Sequence, residues 1–473
     1  MNQPVTGPEK SGSPGTIGII AALVAFAIIL LAPTPEGLTD AGQKTAALFV
    51  LILVLWSTEA LPIAVTSLLA LALQPVLGLN PLGAAFTNFI GPVFFFVLVM
   101  FIIALAWVKT GLAKRFALWM ISQAGTDARR VVYVFVIGTG LISMIVSDVP
   151  TAAIFMAVAL GIFEKLDLKP GQSKFGKAIM LGIPIGALIG GVGTPAGSSI
   201  NILGLDIIVQ QGGDRIGFGQ WALIGIPMVV LLLPAAAFMM VRFFPPEIRS
   251  IGTIGDIRDE LKALGPITTG EWKVILIQGA MIVLWTLNTW YPQFNVVQIG
   301  IFGACAMFLP GIRLFTWQDA QKATGWEILM MAGAVTALGA ASSGSGLAAW
   351  LVNSSLGGME DWSPVWILVL ISAFTVVIHL MLPIAPVINA VMIPPIMLLG
   401  EASGVNPVLY ALPVIYTASC AFLLPMDAVP LITYSKGYYR MFDMFMPGAI
   451  ISVLWVILMT AMLLIVGPLI GLM

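Results

Sequence analysis

The stretch Gly190-Gly191-Val192-Gly193-Thr194-Pro195-Ala196-Gly197-Ser198-Ser199-Ile200-Asn201 decides how this chain is read. Apolar runs flank it, Ala178 to Ile189 before it and Ile202 to Val209 after it. Together they approach the ~20 residues that cross a bilayer. A continuous membrane helix would not carry glycines, a proline, hydroxyls and an amide at its midpoint. Gly and Pro lower helix propensity, and Pro also removes a backbone donor. Non-helical backbone at that depth is tolerated only where protein buries it or where it lines a wet cavity. The stretch therefore predicts a broken helix whose freed amides, carbonyls and side chains hold a solute or an ion near the midplane. The competing reading is a Pro/Gly kink that serves packing alone.

The rest of the composition agrees with a membrane setting. Of 473 residues, 59% are hydrophobic and 9% charged, against roughly 25% charged in soluble domains. The formal net charge of -1 gives no reason to expect a nucleic-acid partner. Cys305 and Cys420 both lie in apolar segments and form no metal-binding pattern. The polar tail 1–15 precedes a run, Thr16 to Pro33, that is long for a signal-peptide core and lacks a small-residue cleavage site, so it reads as a first membrane helix.

Further apolar segments follow to residue 471. Two of them, 131–163 and 363–400, are too long for one crossing and carry Pro near the middle. Each is a helix pair, either crossing fully or entering and returning as a re-entrant hairpin. Counted as hairpins, they leave about eleven crossings. With the N-terminus cytoplasmic and the C-terminus outside, all of the 21 Lys and Arg except Lys44 and Arg215 fall on the cytoplasmic side, as the positive-inside tendency requires. This asymmetry supports the orientation and is indifferent to the choice between hairpins and full crossings. The expected location is the cell's inner (plasma) membrane.

The chain also reads as a duplication. Gly111-Leu112-Ala113 recurs as Gly346-Leu347-Ala348, and each copy is followed by a long Pro-interrupted segment and then a broken helix. The second break is Leu424-Pro425-Met426-Asp427-Ala428-Val429-Pro430. An odd number of crossings separates the copies, so they would be inverted, and inverted repeats with paired interrupted helices point to a secondary transporter. The charged segment Pro245 to Gly270 joins the halves and reads as a solvated linker.

Against this pattern, several stretches resemble the divalent anion:sodium symporter (DASS) family of the ion transporter superfamily. Trp56-Ser57-Thr58-Glu59-Ala60-Leu61-Pro62 resembles its second-helix signature, and Gly193-Thr194-Pro195 followed by Asn201 resembles its first broken helix. Ala418-Ser419-Cys420-Ala421-Phe422-Leu423-Leu424-Pro425, running on to Gly437-Tyr438 and Met441-Phe442-Asp443-Met444, is a further match. The resemblance implies an all-α polytopic membrane fold of eleven helices and two re-entrant hairpins. It also implies a homodimer in which a scaffold holds a moving, elevator-type transport domain. The corresponding division here is a tail 1–15, scaffold helices 16–130, a first hairpin and broken helix 131–218, and scaffold helices 219–362 with a cytoplasmic linker 245–271. A second hairpin and broken helix 363–445 and a C-terminal helix 446–473 complete it. Substrates implied are small organic anions, di- or tricarboxylates, or sulfate, driven by sodium or by exchange; coupling to protons is a further reading, taken from the aspartates at the breaks. No cofactor is implied beyond sodium ions.

The family's hairpin tips carry Ser-Asn-Thr, and this chain departs from them. The first tip reads Ser147-Asp148-Val149-Pro150-Thr151 and the second falls near Ile384-Ala385-Pro386. Ser147, Asp148, Thr151, Thr194, Ser198, Ser199, Asn201 and Asp427 are the expected substrate contacts. Ser147, Asp148, Asp427 and the backbone at Gly193 are the candidate sodium ligands, because hard cations prefer oxygen donors. Asp148, Asp427 and His379, the only histidine, are candidate proton carriers. Each aspartate alternatively caps a broken helix, and His379 alternatively is a structural imidazole. Asn389 is a candidate for polarity lost from the second tip, or alternatively bonds a helix carbonyl. Trp290, Tyr291, Trp362, Tyr438 and Tyr439 read as interfacial anchors.

No Lys or Arg lies in either break, so an anion there relies on helix N-termini, amide and hydroxyl donors and a bound cation. A cation-coupled anion symporter is the first reading, and a sodium/proton antiporter of the same fold is the alternative. No HExxH or GxSxG pattern and no His/Cys set supports a membrane enzyme.

Overall fold

Hydrophobic segments fold as helices here because a chain in lipid satisfies its backbone polar groups only internally. The computed structural model describes residues 14–251, 254–291, 293–355, 358–359, 362–380, 382 and 385–473. Among these, every regular element is helical, and one isolated backbone bridge pairs Asp127 with Ser250. Among the described residues, nine helices are long and apolar enough to cross a membrane, with further apolar helices of 10–17 residues. Most of the polar tail and Ile384 of the second tip lie outside the described residues.

The chain forms two compact units. The first comprises Met1–Phe94 and Gly325–Gly357. Within it, Asp40–Thr58 begins at Thr39, whose hydroxyl accepts from Gly42 N at 2.8 Å and donates to Ser345 O at 2.5 Å. The helix ends where Glu59 takes a positive φ of 47°, and Ile63–Val76 begins immediately after Pro62. The Trp56-to-Pro62 signature is thus a helix–turn–helix corner.

The second unit comprises Phe95–Thr324 and Gly358–Met473. Its first hairpin has an outgoing arm, Ala128–Val146, and a return arm, Asp148–Lys165. Phe135 and Phe155 meet edge-on across it, with ring centroids 6.2 Å apart. The long segment 131–163 is therefore a pair of helices that folds back on itself. The second long segment likewise divides, into Pro364–Ile378 and Ala385–Ala402. The order after Gly111 and after Gly346 is the same: a glycine of positive φ, a short helix, a helix pair and a broken helix.

The first broken helix, Lys174–Gly191 and then Ser199–Gln210, lies against the outgoing hairpin arm. The approach is close enough that a Cβ on Gly190 would sit 2.0 Å from Gly140 O, and one on Gly186 would sit 2.4 Å from Val136 O. Only glycine permits such backbone contact, and small residues serve this purpose between membrane helices. Ser143 Oγ adds a hydrogen bond to Ala187 O at 2.7 Å.

The linker is fastened rather than free. Glu247 accepts from Ser173 Oγ and from Phe175 N at the start of the broken helix. Ala128 N donates to Arg249 O and Ile251 N to Thr126 O, at the root of the hairpin. Arg115 grips the far end, with Nε and Nη2 on Glu271 at 2.6 and 3.0 Å and bonds to the carbonyls of Leu264, Gly265 and Pro266. Glu271 is 2% exposed. Arg115→Ala would leave that carboxylate with only its bond from Thr268 N, a loss approaching the ~3–5 kcal/mol seen for buried pairs. A fall in the thermal unfolding midpoint of purified protein is the expected result; an unchanged midpoint would show that the pair contributes no stability.

Tyr438 and Tyr439 do not act as interfacial anchors. They are 5% and 4% exposed. Tyr438 OH donates to Leu168 O and its ring lies 4.9 Å from that of Phe163, while Tyr439 OH donates to Pro430 O. Their hydroxyls find protein carbonyls instead of headgroups. Trp290, Tyr291 and Trp362 are exposed, 68%, 51% and 48%.

Candidate functional site

The site grows from the point where the hairpin tip meets the first break. Ser147 ends one arm with φ 82° and ψ 152°, a region that costs a non-glycine residue about 1–3 kcal/mol. That backbone turn starts the return arm at Asp148 and buries its carboxylate, 4% exposed. Asp148 Oδ1 accepts from Val149 N at 2.8 Å and from Ser147 Oγ at 3.2 Å. Asp148 Oδ2 accepts from Ser198 Oγ at 3.0 Å.

Ser198 stands at the N-cap position of Ser199–Gln210, yet its hydroxyl makes no cap bond and serves Asp148 instead. Ser147 likewise makes no side-chain cap for the return arm. Two half-helix N-termini, each with positive dipole character, thus converge on one buried carboxylate.

The other residues of the first break hold its backbone. Asn201 Nδ2 donates to Gly191 O at 2.8 Å and Thr194 O at 3.0 Å, which stitches the two half-helices together. Thr194 Oγ1 donates to Met144 O and Thr151 Oγ1 to Ser147 O, each at 2.6 Å. Gly193 N donates to Gly190 O at 2.9 Å, and a Cβ on Gly193 would press against Met144 Cε at 2.8 Å. Ser199 is half-buried beside them. Ser147, Asp148 and Ser198 therefore touch one another, whereas Thr151, Thr194 and Asn201 tie backbone.

The second break follows Pro407–Ala418 and ends at Ala428–Tyr434. Asp427 caps that last helix, accepting from Val429 N at 3.2 Å, and is 9% exposed. It lies within electrostatic range of Asp148. His379 Nε2 bonds Ala418 O at 2.6 Å, while its Nδ1 and Ser419 Oγ are buried without partners. His379, Cys420 and Asp427 line a cavity of about 10 Å³, room for one small occupant. Its lining gives His379 and Asp427 a shared space but no direct bond among the described contacts. Among the described residues no three His, Cys, Asp or Glu side chains cluster as a metal site.

Of the two roles open to Asn389 in the sequence, the structure shows the bond to a helix carbonyl: its Nδ2 donates to Ile200 O at 3.0 Å and so pins the second hairpin's return arm to the first break. Its Oδ1 and that of Asn201 are buried without partners. Trp221 joins both breaks: its indole N–H donates to Val192 O at 2.7 Å, and its carbonyl accepts from Tyr416 OH at 2.8 Å. The two rings stack 3.9 Å apart. A tryptophan inside an apolar run carries no local mark of such a role. The helix-spaced glycines Gly182, Gly186 and Gly190 did carry one, the small-xxx-small pattern.

There is no Lys or Arg in the sequence between Arg130 and Lys165, between Lys177 and Arg215, or between Lys322 and Lys436. The hairpins and breaks thus present carboxylates, hydroxyls, amides and backbone, with the His379 imidazole and the Cys420 thiol beside the second break.

Broken helices around a polar, buried centre in an otherwise apolar helical protein define an integral membrane transporter rather than an enzyme. The chain belongs to the sodium:sulfate symporter family, whose transmembrane-region model matches residues 15–473, in agreement with the DASS-like stretches of the sequence. It is 32% identical over 442 residues to the sodium-dependent dicarboxylate transporter SdcS of Staphylococcus saprophyticus, covering 88% of this chain and 84% of the relative. SdcS of Staphylococcus aureus is 29% identical over 475 residues, 95% of this chain and 89% of the relative. The solved structure of the Alcanivorax borkumensis YdaH transporter aligns over 97% of both chains at 13% identity with a TM-score of 0.48.

Proposed function

We propose that this protein is a sodium-coupled symporter of small dicarboxylates in the cell's inner (plasma) membrane. The observation that carries the reading is the buried Asp148, bonded by Ser147 and Ser198, with the charge of Asp427 in range and no Lys or Arg in the surrounding segments. Two unit charges 4 Å apart repel by about 4 kcal/mol at an effective dielectric of 20. A dicarboxylate entering this centre therefore arrives together with cations. Carboxylate, hydroxyl and carbonyl oxygens suit a hard cation such as sodium, and the names of the relatives point the same way.

In this reading Ser147, Asp148, the Gly193 backbone and Asp427 hold sodium. Ser198 and Ser199, with the N-terminus of Ser199–Gln210, face the substrate, while Thr151, Thr194 and Asn201 hold the backbone that shapes the site. The hairpins and broken helices, 131–218 and 363–445, move together as the transport domain against the remaining helices, in an elevator motion within a homodimer. The N-terminus is cytoplasmic and the C-terminus outside.

A second reading, sodium/proton antiport with Asp148, Asp427 and His379 as the exchanging groups, is favoured by the two carboxylates at the breaks. Uptake of labelled succinate into proteoliposomes, with sodium and pH gradients imposed separately, decides between them. Accumulation that follows the sodium gradient is expected. Proton efflux triggered by added sodium, without succinate accumulation, would leave the antiporter.

A further inference from the structure

An open cavity of about 1410 Å³ runs along the return arm of the first hairpin. Its wall includes Pro150, Ile154, Val158 and Ile162, so it reaches from the hairpin tip toward Lys165. Fifteen helical residues separate Pro150 from Lys165, a length of about 22 Å at 1.5 Å per residue. The groove is exposed along that length, at Ala153, Ala157 and Gly161 as well as at Lys165, and its wall is largely apolar except at the end where Lys114, Lys165, Glu164 and Glu260 stand. There the linker inserts its own carboxylate between two lysines from different elements. Glu260 Oε1 is 2.9 Å from Lys114 Nζ, and Oε2 is 3.5 Å from Lys165 Nζ.

We propose that Lys114 and Lys165 form an anion subsite on the cytoplasmic side, where dicarboxylate enters or leaves the carrier, and that Glu260 is a tethered occupant which the substrate displaces. This rests on the dicarboxylate reading above. The centre of the site has no Lys or Arg side chain, so a dianion has nothing positive of that kind to steer by once inside. With Glu260 swung aside, Lys114 and Lys165 outweigh Glu164 and leave a net positive charge at this end of the groove, and electrostatic focusing of that kind raises the local concentration of an opposite charge. Glu260 fills the position that a substrate carboxylate would take, one oxygen to each ammonium. Its carboxyl is held below the usual carboxylate range, chiefly by the hydrogen bond from Lys114, so it competes as an anion at neutral pH. The pairs are partly exposed, with side-chain exposures of 52% and 58% for the lysines and 37% for Glu260, so exchange there involves little desolvation. The linker is pinned on both sides of Glu260, by Arg249 and Ile251 before it and by Arg115 after it. Glu260 can therefore release the lysines without the linker leaving its place.

The test uses the full chain in proteoliposomes, with labelled succinate presented to the face that carries Lys114. Glu260→Gln is expected to lower KM for that face by about two- to fivefold, the worth of an exposed ion pair, with Vmax unchanged. The effect should shrink as ionic strength rises. Lys114→Gln with Lys165→Gln should raise KM in the same medium. An unchanged KM in both variants, or a fall in Vmax alone, would overturn the proposal and leave Glu260 as a plain linker tie. A second readout is independent of transport: the rate at which an amine-reactive reagent labels Lys114 and Lys165, read by mass spectrometry. Succinate should slow that labelling more than acetate does, and more strongly in Glu260→Gln. Failure of the unsubstituted protein to take up succinate would count against the proposed function, while absent protection of the lysines would count against the subsite.

Discussion

Asp148→Asn is expected to slow sodium-driven dicarboxylate uptake by roughly 10- to 150-fold, the equivalent of about 1.5–3 kcal/mol for hydrogen bonds to a charged group. The substitution keeps size and shape but removes the charge on which two hydroxyls and one backbone amide converge. It also replaces an acceptor-only oxygen with an NH₂ that faces donors. Asparagine keeps an oxygen for Val149 N but turns Ser198 from donor to acceptor, and a coupling cation loses its anionic ligand. Ser198→Ala, which removes one donor and leaves the carboxylate, should have the smaller effect. Initial rates at matched protein incorporation measure both. A rate for Asp148→Asn within twofold of the parent would remove Asp148 from the transport site and leave it a helix-terminal residue.

Gly190→Ala should have the largest effect on folding. Its methyl would lie 2.0 Å from Gly140 O and 2.5 Å from Gly140 Cα. The obstruction is backbone, so no side chain can turn aside, and the outgoing hairpin arm must separate from the broken helix. Overpacking of this kind costs about 1–3 kcal/mol and sometimes more, here at the contact that positions the hairpin tip. Gly279→Ala is the control, since a Cβ there meets nothing within 4 Å, and alanine in a helix interior gains about 1 kcal/mol over glycine. Thermal unfolding followed by size-exclusion of the detergent-solubilised protein should show Gly190→Ala lost at temperatures where Gly279→Ala survives. Equal midpoints for the two would show that the close approach contributes no stability.

Much of this architecture is legible in the sequence, for local reasons. Gly, Pro and polar residues inside an apolar run violate helix rules on the spot, so the break at Gly190 to Asn201 declares itself. Asp148 and Asp427 declare themselves because a charge in an apolar segment is costly. The two Gly-Leu-Ala copies expose the repeated order that the helices follow. What the sequence withholds is pairing across distance. Trp221 looks like any aromatic in an apolar helix, and only the fold puts Val192 O and Tyr416 on either side of it. Tyr438 and Tyr439 follow a helix as interfacial anchors do, and only packing shows that Leu168 and Pro430 take their hydroxyls. The linker's charges look solvated until Arg115, Lys114, Ser173 and the hairpin root are seen to hold them.

The absence of Lys and Arg around the two breaks carries a consequence for energetics across the whole membrane. In the proposed cycle the loaded site moves with enough sodium to offset both the dicarboxylate and the two ionised aspartates, so it crosses close to neutral. When the empty site returns, Asp148 and Asp427 travel without that balance. Each uncompensated elementary charge feels about 2.3 kcal/mol per 100 mV over the part of the field it crosses. An inside-negative potential pushes negative carboxylates outward, so the resting voltage of the cell would drive the empty carrier back to face its supply. Voltage then acts on the reset of the cycle rather than on the delivery of cargo, and a depolarised membrane would leave the transporter waiting on its inner side.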